Sequence, residues 1–342
     1  MSDIVLLSHQ HEHARRMLDF LQNNKFAIDL SPTGTGKTYV SLWLANQLEL
    51  PVIVFCPKNV VNVWKSLAET YDVELQTVTY DQVKNPKHGW VTNEIRKRLS
   101  EEGRDKIYEG HLFIADEAHK LKNPSYQSKA MQEILGNLIK GGNANPSKVL
   151  LLSATLIDGE KQAYEFWRLL GYHDKTRNSD LIRSISPSSY VPMKSKEQLE
   201  LLFDLFKTEI IEKYGSSMKQ HIKYKHDVKN MSRRLPFKDM ANYRRTIKML
   251  SSIDNIGHFV QVLNNLQDIK ASIVIKTGLA VLRKYSRAKL VLFADYHSTQ
   301  NIYVRAFREY DPMLINGRTK DELRIEYIDK FQEDSNERRV MI

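Results

Sequence analysis

The 342-residue sequence holds a single cysteine, Cys56. That excludes a disulfide framework and a cysteine-rich zinc module. Cys56 closes an apolar run and reads as a small buried hydrophobe. Long apolar runs are also missing. PVIVFC (51–56) and VLLL (149–152) fall far short of the ~18 residues that a membrane span needs. The N-terminus lacks a basic stretch followed by a long apolar one, so no secretory signal is expected. Internal repeats and low-complexity segments are absent. The chain is nevertheless 42% hydrophobic, which is too apolar for a disordered protein. The expectation is an intracellular monomer without a membrane partner, of the cytoplasm or nucleus, with a viral or phage setting also open.

Acidic charge is short in one place only. The net charge is +10, yet residues 1–172 balance 20 Lys+Arg with 20 Asp+Glu. Residues 213–248 carry eleven basic side chains and two acids, Asp227 and Asp239. Clustered basic charge of this kind points to a polyanion partner, and the alternative is a solvated helical face.

The first half alternates between helical patterns and short apolar runs. Strands are expected at 26–30, 52–56, 75–79, 111–115 and 148–153. Helices are expected at 11–21, 60–70, 93–100 and 128–139, and a loop followed by a helix over 31–48. This alternation predicts an α/β fold with a doubly wound parallel sheet. From about residue 176 the chain turns helical and rich in Lys, Ser and Met. Strands return at 289–295, 313–315 and 339–342, with helices at 300–310 and 321–333. The expected organisation is an ATP-binding lobe over 1–172, a helical basic protrusion over 173–275, and the start of a second, truncated lobe over 276–342.

Three motifs carry chemistry. SPTGTGKT (31–38) follows a strand and opens a helix, the setting of a phosphate-binding loop. Gly34 and Gly36 let backbone N–H groups, with those of Thr33 and Thr35, face a triphosphate at a helix N-terminus. Lys37 can reach the β- and γ-phosphates, and the Thr38 hydroxyl can ligate Mg²⁺. The alternative is a glycine-containing turn before a helix. DEAH (116–119) ends an expected strand, where the edge of a parallel sheet faces a nucleotide crevice. Asp116 can hold Mg²⁺ and Glu117 can polarise an attacking water. SAT (153–155) ends a further strand and places two hydroxyls near DEAH; by itself it could be a strand-end cap.

In this order the three motifs resemble superfamily-two helicases and translocases, and more specifically the Swi/Snf-like double-stranded DNA translocases. The resemblance is carried by His9-Gln10, the PVIVFCP run with Val63-Trp64, Thr79-Tyr80-Asp81, DEAHKLKNP (116–124) with Ser128-Lys129-Ala130, and LLLSAT (150–155). Asp227-Val228, LPFK (235–238), KLVLF (289–293), and Asn316-Gly317 with Thr319, Arg324 and Phe331 extend it. It implies two RecA-like lobes, ATP and Mg²⁺ as cofactors, and movement along nucleic acid, with duplex DNA as partner. It implies that Gln10 reads the adenine and that His119, Ser153 and Thr155 couple hydrolysis to lobe movement. Lys58, Thr79 and Tyr80 would face the nucleic-acid backbone, and Arg233, Arg234, Arg244 and Arg245 would extend that face through the basic window. SPTGTGKT and the threonine of SAT are closer to other helicases of the superfamily, so an RNA helicase or an unwinding DNA helicase is the alternative. The family's arginine-finger motif has no match before Ile342. A nucleic-acid- and ATP-binding chain without turnover is therefore a further alternative.

His9, Glu12 and His13 have helical spacing but no placed third or fourth ligand for zinc, and fit an adenine-recognition element better. Trp64, Trp90 and Trp167 read as packing residues. The aromatics of the basic window, Tyr214, Tyr224, Phe237 and Tyr243, are read as packing, with base stacking as the alternative.

Overall fold

Short apolar runs become strands here because both of their faces are covered. The computed structural model describes residues 4–92, 98–172, 178–189, 194–218, 237–252, 255–333 and 339–342. It divides into two units, residues 1–225 and 226–342. In the first unit, α1 (Ser8–Asn23) leads into β1 (Phe26–Asp29). Then come α2 (Lys37–Leu48), β2 (Val52–Cys56), α3 (Val61–Thr70) and β3 (Leu75–Thr79). The single turn α4 (Tyr80–Val83) and α5 (Glu101–Tyr108) precede β4 (Leu112–Asp116). After α6 (Tyr126–Lys140), β5 (Lys148–Leu152) and α7 (Glu160–Leu169) come α8 (Asn178–Ile185), α9 (Ser195–Phe206), the turn α10 (Glu212–Tyr214) and β6 (Gly215–Ser216).

The sheet order is β3-β2-β4-β5-β1-β6, with every pairing parallel. Alternate residues feed two cores. Phe26, Ile28, Phe55, Phe113 and Leu151 pack with α6, α7 and α9 on one face. Ala27, Val54, Ile114, Leu150 and Leu152 pack with α1, α2 and α3 on the other. This is the expected doubly wound α/β lobe, and its two-faced burial explains why the strands read as unbroken apolar runs. The packing continues past residue 172. Leu181, Ile182, Leu202 and Phe206 join the first core. Trp167 Nε1 donates to the Leu202 carbonyl at 3.0 Å.

Register places the motifs. Leu152 at the end of β5 pairs with Asp29 on one side and with Asp116 on the other. The strand that feeds the phosphate-binding loop and the strand that carries DEAH thus end in one row. Asp116 closes β4 rather than following it.

The expected helix 93–100 falls mostly outside the described residues. Residues 93–97 lie outside the described residues, and Leu99 forms an antiparallel bridge to Val91. The helix starts at Glu101 because the Ser100 hydroxyl accepts from Gly103 N at 2.9 Å, a strong N-cap.

The second unit contains α11 (Phe237–Met249), the long α12 (Ile256–Lys284), β7 (Leu290–Val291), α13 (His297–Ala306), α14 (Asp321–Gln332) and β8 (Val340–Met341). β7 and β8 pair in parallel over a small core of Ala271, Leu282, Leu292, Tyr303, Phe307 and Val340. The expected strands at 289–295 and 313–315 are shorter than the sequence suggests: two residues, and a single bridge from Met313 to Met341. Among the described residues, no helix is long and apolar enough to cross a membrane.

Candidate functional site

The loop 30–36 is shaped by two left-handed glycines. Gly34 has φ +78° and Gly36 has φ +89°, a region that costs an L-residue about 1–2 kcal/mol. Gly36 is the residue before α2, so the free N–H groups of that helix's first turn open onto the loop. Lys37 folds back over the loop and donates to the Ser31 carbonyl at 2.9 Å and the Pro32 carbonyl at 3.2 Å. Thr35 Oγ1 donates to Pro32 O at 2.8 Å. Thr38 is half-buried one residue on, while Thr33 is exposed. No atom lies within 4 Å of where a side chain at Gly34 would begin. The loop therefore offers an open concave face of N–H donors with a lysine beside it.

Helix α1 clamps this loop from outside. Gln10 is buried; its Nε2 donates to Thr35 O at 2.9 Å, and its Oε1 accepts from Leu7 N at 2.8 Å. One turn on, His13 is committed elsewhere: Nε2 lies 3.1 Å from Asp29 Oδ2, and Nδ1 lies 3.1 Å from Ser216 Oγ. Asp29 Oδ1 accepts from Ser31 N at 2.9 Å, and Ser31 Oγ accepts from Met218 N at 2.8 Å. His13, Asp29 and Ser216 thus tie α1, β1 and β6 into one joint beneath the loop.

Asp116 is nine-tenths buried at the end of β4. Oδ2 accepts from Trp64 Nε1 at 2.9 Å, and Oδ1 accepts from Glu117 N at 2.9 Å. Tyr80 OH donates to the Asp116 carbonyl at 2.7 Å. Burial holds the Asp116 carboxyl above its ordinary value, against the pull of the Trp64 hydrogen bond; the Glu117 charge adds to the rise and Lys37 opposes it. The same burial, with Asp116 nearby, pushes the Cys56 thiol up to about 12 and the Tyr80 phenol well above its ordinary value. Cys56 is accordingly an inert packed thiol.

Glu117 has φ +54° and ψ +47°, a left-handed conformation that a non-glycine residue adopts at a cost of roughly 1–3 kcal/mol. It turns the chain sharply off the strand. Glu117 Oε2 comes 3.1 Å from His119 Nδ1, which lies 3.3 Å from Ser153 Oγ. Ser153 Oγ also accepts from Thr155 N at 3.3 Å, and Ser153 N donates to Asp29 O at 3.0 Å. A chain of polar contacts thus runs from Glu117 through His119 and Ser153 to the strand that feeds the loop. Lys122 and Asp158 form an ion pair just beyond it.

The residues expected to meet nucleic acid part company. Lys58 is exposed at the end of β2. Thr79 caps α4, its Oγ1 accepting from Gln82 N at 3.2 Å. Tyr80 is corrected: it is buried and braces Asp116, so its ring offers nothing to a phosphate backbone. Arg244 and Arg245 are exposed on α11, while Arg233 and Arg234 lie outside the described residues. Trp90 packs edge-on against Phe55 and Phe113. Tyr214 rests on Phe26 with ring centroids 4.5 Å apart. Sequence reasoning missed two contributors, Trp64 at Asp116 and the Asp29 joint. Neither has a spacing signature, since both are contacts between distant segments.

Residues 3–158 match the family described as Type III restriction enzyme, res subunit. Two Acanthamoeba polyphaga mimivirus proteins named as ATP-dependent RNA helicases are similar. One is 27% identical over 196 residues, 53% of this chain and 36% of the relative; the other is 25% identical over 155 residues, 45% and 30%. The chain thus spans about a third of the length of the curated relatives it matches. Among solved structures, the Sulfolobus solfataricus SWI2/SNF2 ATPase core in complex with dsDNA matches at 15% identity and TM-score 0.42, over 98% of this chain and 77% of that one. The Escherichia coli DEAH/RHA helicase HrpB matches at 16% identity and TM-score 0.48, over 97% and 34%.

Proposed function

We propose that residues 3–158, which match the family described as Type III restriction enzyme, res subunit, form a helicase-type ATPase domain of superfamily two, and that the chain hydrolyses ATP to move along nucleic acid, with duplex DNA as the track. The observation that carries the ATPase reading is the shared strand row. Asp29 below the loop and Asp116 of DEAH flank Leu152, and Lys37 folds over the loop that follows Asp29. Phosphate binding and acid chemistry therefore meet at one edge of one sheet.

In this reading the loop N–H groups and Lys37 bind the phosphates, and Gln10 recognises the adenine edge. The donor set suits a hard cation: Thr38 and Asp116 would hold Mg²⁺ through oxygen. Bound there, Mg²⁺ would offset the charge that builds on the phosphate oxygens. The Glu117 carboxylate orients the attacking water and takes its proton. His119 and Ser153 sense the charge on Glu117 and pass the change to the end of β1. Thr155, exposed beside them, presents that change to the lobe's surface.

Lys58 and Thr79 supply the first lobe's contacts to the nucleic-acid backbone. Arg244 and Arg245, with Arg233 and Arg234, supply those of the basic window. Contacts of this kind are to phosphates, so affinity falls steeply with salt and depends little on sequence.

A second reading, an RNA or unwinding DNA helicase, is favoured by the names of the mimivirus relatives and by the SPTGTGKT form of the loop. The discriminating measurement is ATPase stimulation by duplex DNA, single strands and RNA side by side, with Lys37→Ala as the dead control. Stimulation by duplex DNA supports the track proposed. Stimulation by RNA alone would move the chain to the second reading. ATP and nucleic-acid binding with no turnover would leave it a binding protein.

A further inference from the structure

Among the described buried polar groups, one stands apart from the three motifs. Trp64 is fully buried on α3 among apolar neighbours, yet its indole N–H is aimed at Asp116 Oδ2 at 2.9 Å. A buried tryptophan needs an acceptor, and a backbone carbonyl commonly serves. Here the acceptor is the carboxylate of DEAH.

We propose that Trp64 is a positioning residue for metal binding: it fixes the rotation of the Asp116 carboxylate so that the remaining lone pairs face the phosphate-binding loop. Resting on the MgATP reading of the site, this adds a residue that none of the three motifs contains. The geometry is over-determined in a way that packing does not require. Oδ1 is held by Glu117 N and Oδ2 by Trp64, while Tyr80 fixes the carbonyl of the same residue. Two donors set at 2.9 Å on opposite oxygens leave the carboxylate no free rotation. Without Trp64, the Glu117 N–H alone holds the carboxylate, and the group can swing about its Cβ–Cγ bond over a wider range. Partners of this kind, lying behind a metal ligand, govern affinity by about 10–100-fold when removed.

The test compares ATP affinity with and without metal in the same protein. In Trp64→Phe the ring volume is largely kept and the donor is lost. The ratio of the ATP Kd in EDTA to that in Mg²⁺ is expected to fall by about tenfold, with the metal-free Kd unchanged. This ratio does not depend on turnover or on the fraction of protein that is active. In an Asp116→Asn background the same substitution should have no further effect on the ratio, because Trp64 acts only through that carboxylate. Trp64→Met gives a second donor-free variant if phenylalanine fails to fold. An unchanged ratio in a folded variant overturns the proposal and returns Trp64 to packing. If the wild-type protein binds no ATP with or without metal, the MgATP reading itself fails and the proposal with it.

Discussion

Gly36 is the tightest residue of the loop. A Cβ there would come 2.2 Å from Gln10 Nε2, and its φ of +89° already disfavours a side chain. Gly36→Ala is therefore expected to lose stability by roughly 1–2 kcal/mol from backbone strain and to expel Gln10 from the loop. Placed on Gln10→Ala, the same change should cost only the strain. Chemical denaturation and ATP titration of the four proteins in the cycle check this. Full additivity in ATP affinity would mean that Gln10 and Gly36 do not compete for the same space. Asp116 makes the second prediction at this scale. Burial holds its carboxyl above the ordinary value, while the Trp64 hydrogen bond draws it down. Metal ligation needs the carboxylate, so MgATP affinity should fall on acidification at a pH above the ordinary carboxylate range. Stability follows the opposite sign. A raised folded pKa contributes stability that is complete below the ordinary carboxylate range and fades as pH rises through the raised value. MgATP Kd and Tm measured on the same samples across mild acid should therefore separate, with affinity lost and no stability lost from this residue. A MgATP Kd that stays flat to the ordinary carboxylate range would contradict it.

At the scale of elements, the strands were the most legible part of the sequence. The bounds 52–56 and 75–79 are observed as expected: β2 is covered on both faces and apolar throughout, while the edge strand β3 is marked by β-branched Thr77, Val78 and Thr79. β6 was illegible for the same reason inverted. It is only Gly215 and Ser216, with no periodicity to read, and it joins the sheet beside β1, where Leu30 N donates to the carbonyl of the distant Ser216. The loop and DEAH residues were legible because glycine, lysine and carboxylate at fixed spacing leave a local trace. Their braces were not, since Trp64–Asp116 spans 52 positions. The joint of His13, Asp29 and Ser216 carries its own prediction. Asp29→Ala strands the Ser31 N–H and removes the carboxylate beside the His13 ring, and a buried donor left unmade costs about 1–3 kcal/mol. It should lower Tm and weaken ATP binding together, because the loop and its floor share the residue. A normal Tm with normal ATP affinity would show that α1 and β6 hold the loop without it.

Over the whole molecule, charge and architecture divide the chain differently. The basic window, 213–248, begins inside the first unit and ends inside the second. A chain ending at 225 keeps all six strands and both cores of the first unit, so it should fold and bind ATP. A chain ending at 172 loses Leu202 and Phe206 from beside Phe166 and Trp167, and β6 from beside β1. It should be poorly soluble. Expression of the two, followed by ATP titration, checks the assignment; equal behaviour would show that α8, α9 and β6 contribute little to the lobe.

The place of β1 in the sheet has a consequence for synthesis. Its neighbours are β5 and β6, made from residues 148–152 and 215–216. Of the six strands of this sheet, the one that ends at the nucleotide loop is thus the first to be made and the last to be paired on both sides. For the time it takes to translate almost two hundred residues, β1 carries an open hydrogen-bonding edge of the kind that invites association with other chains. Helix α1, made just before it and packed on β1 in the finished lobe, covers one face of the strand and leaves that edge to β5 and β6.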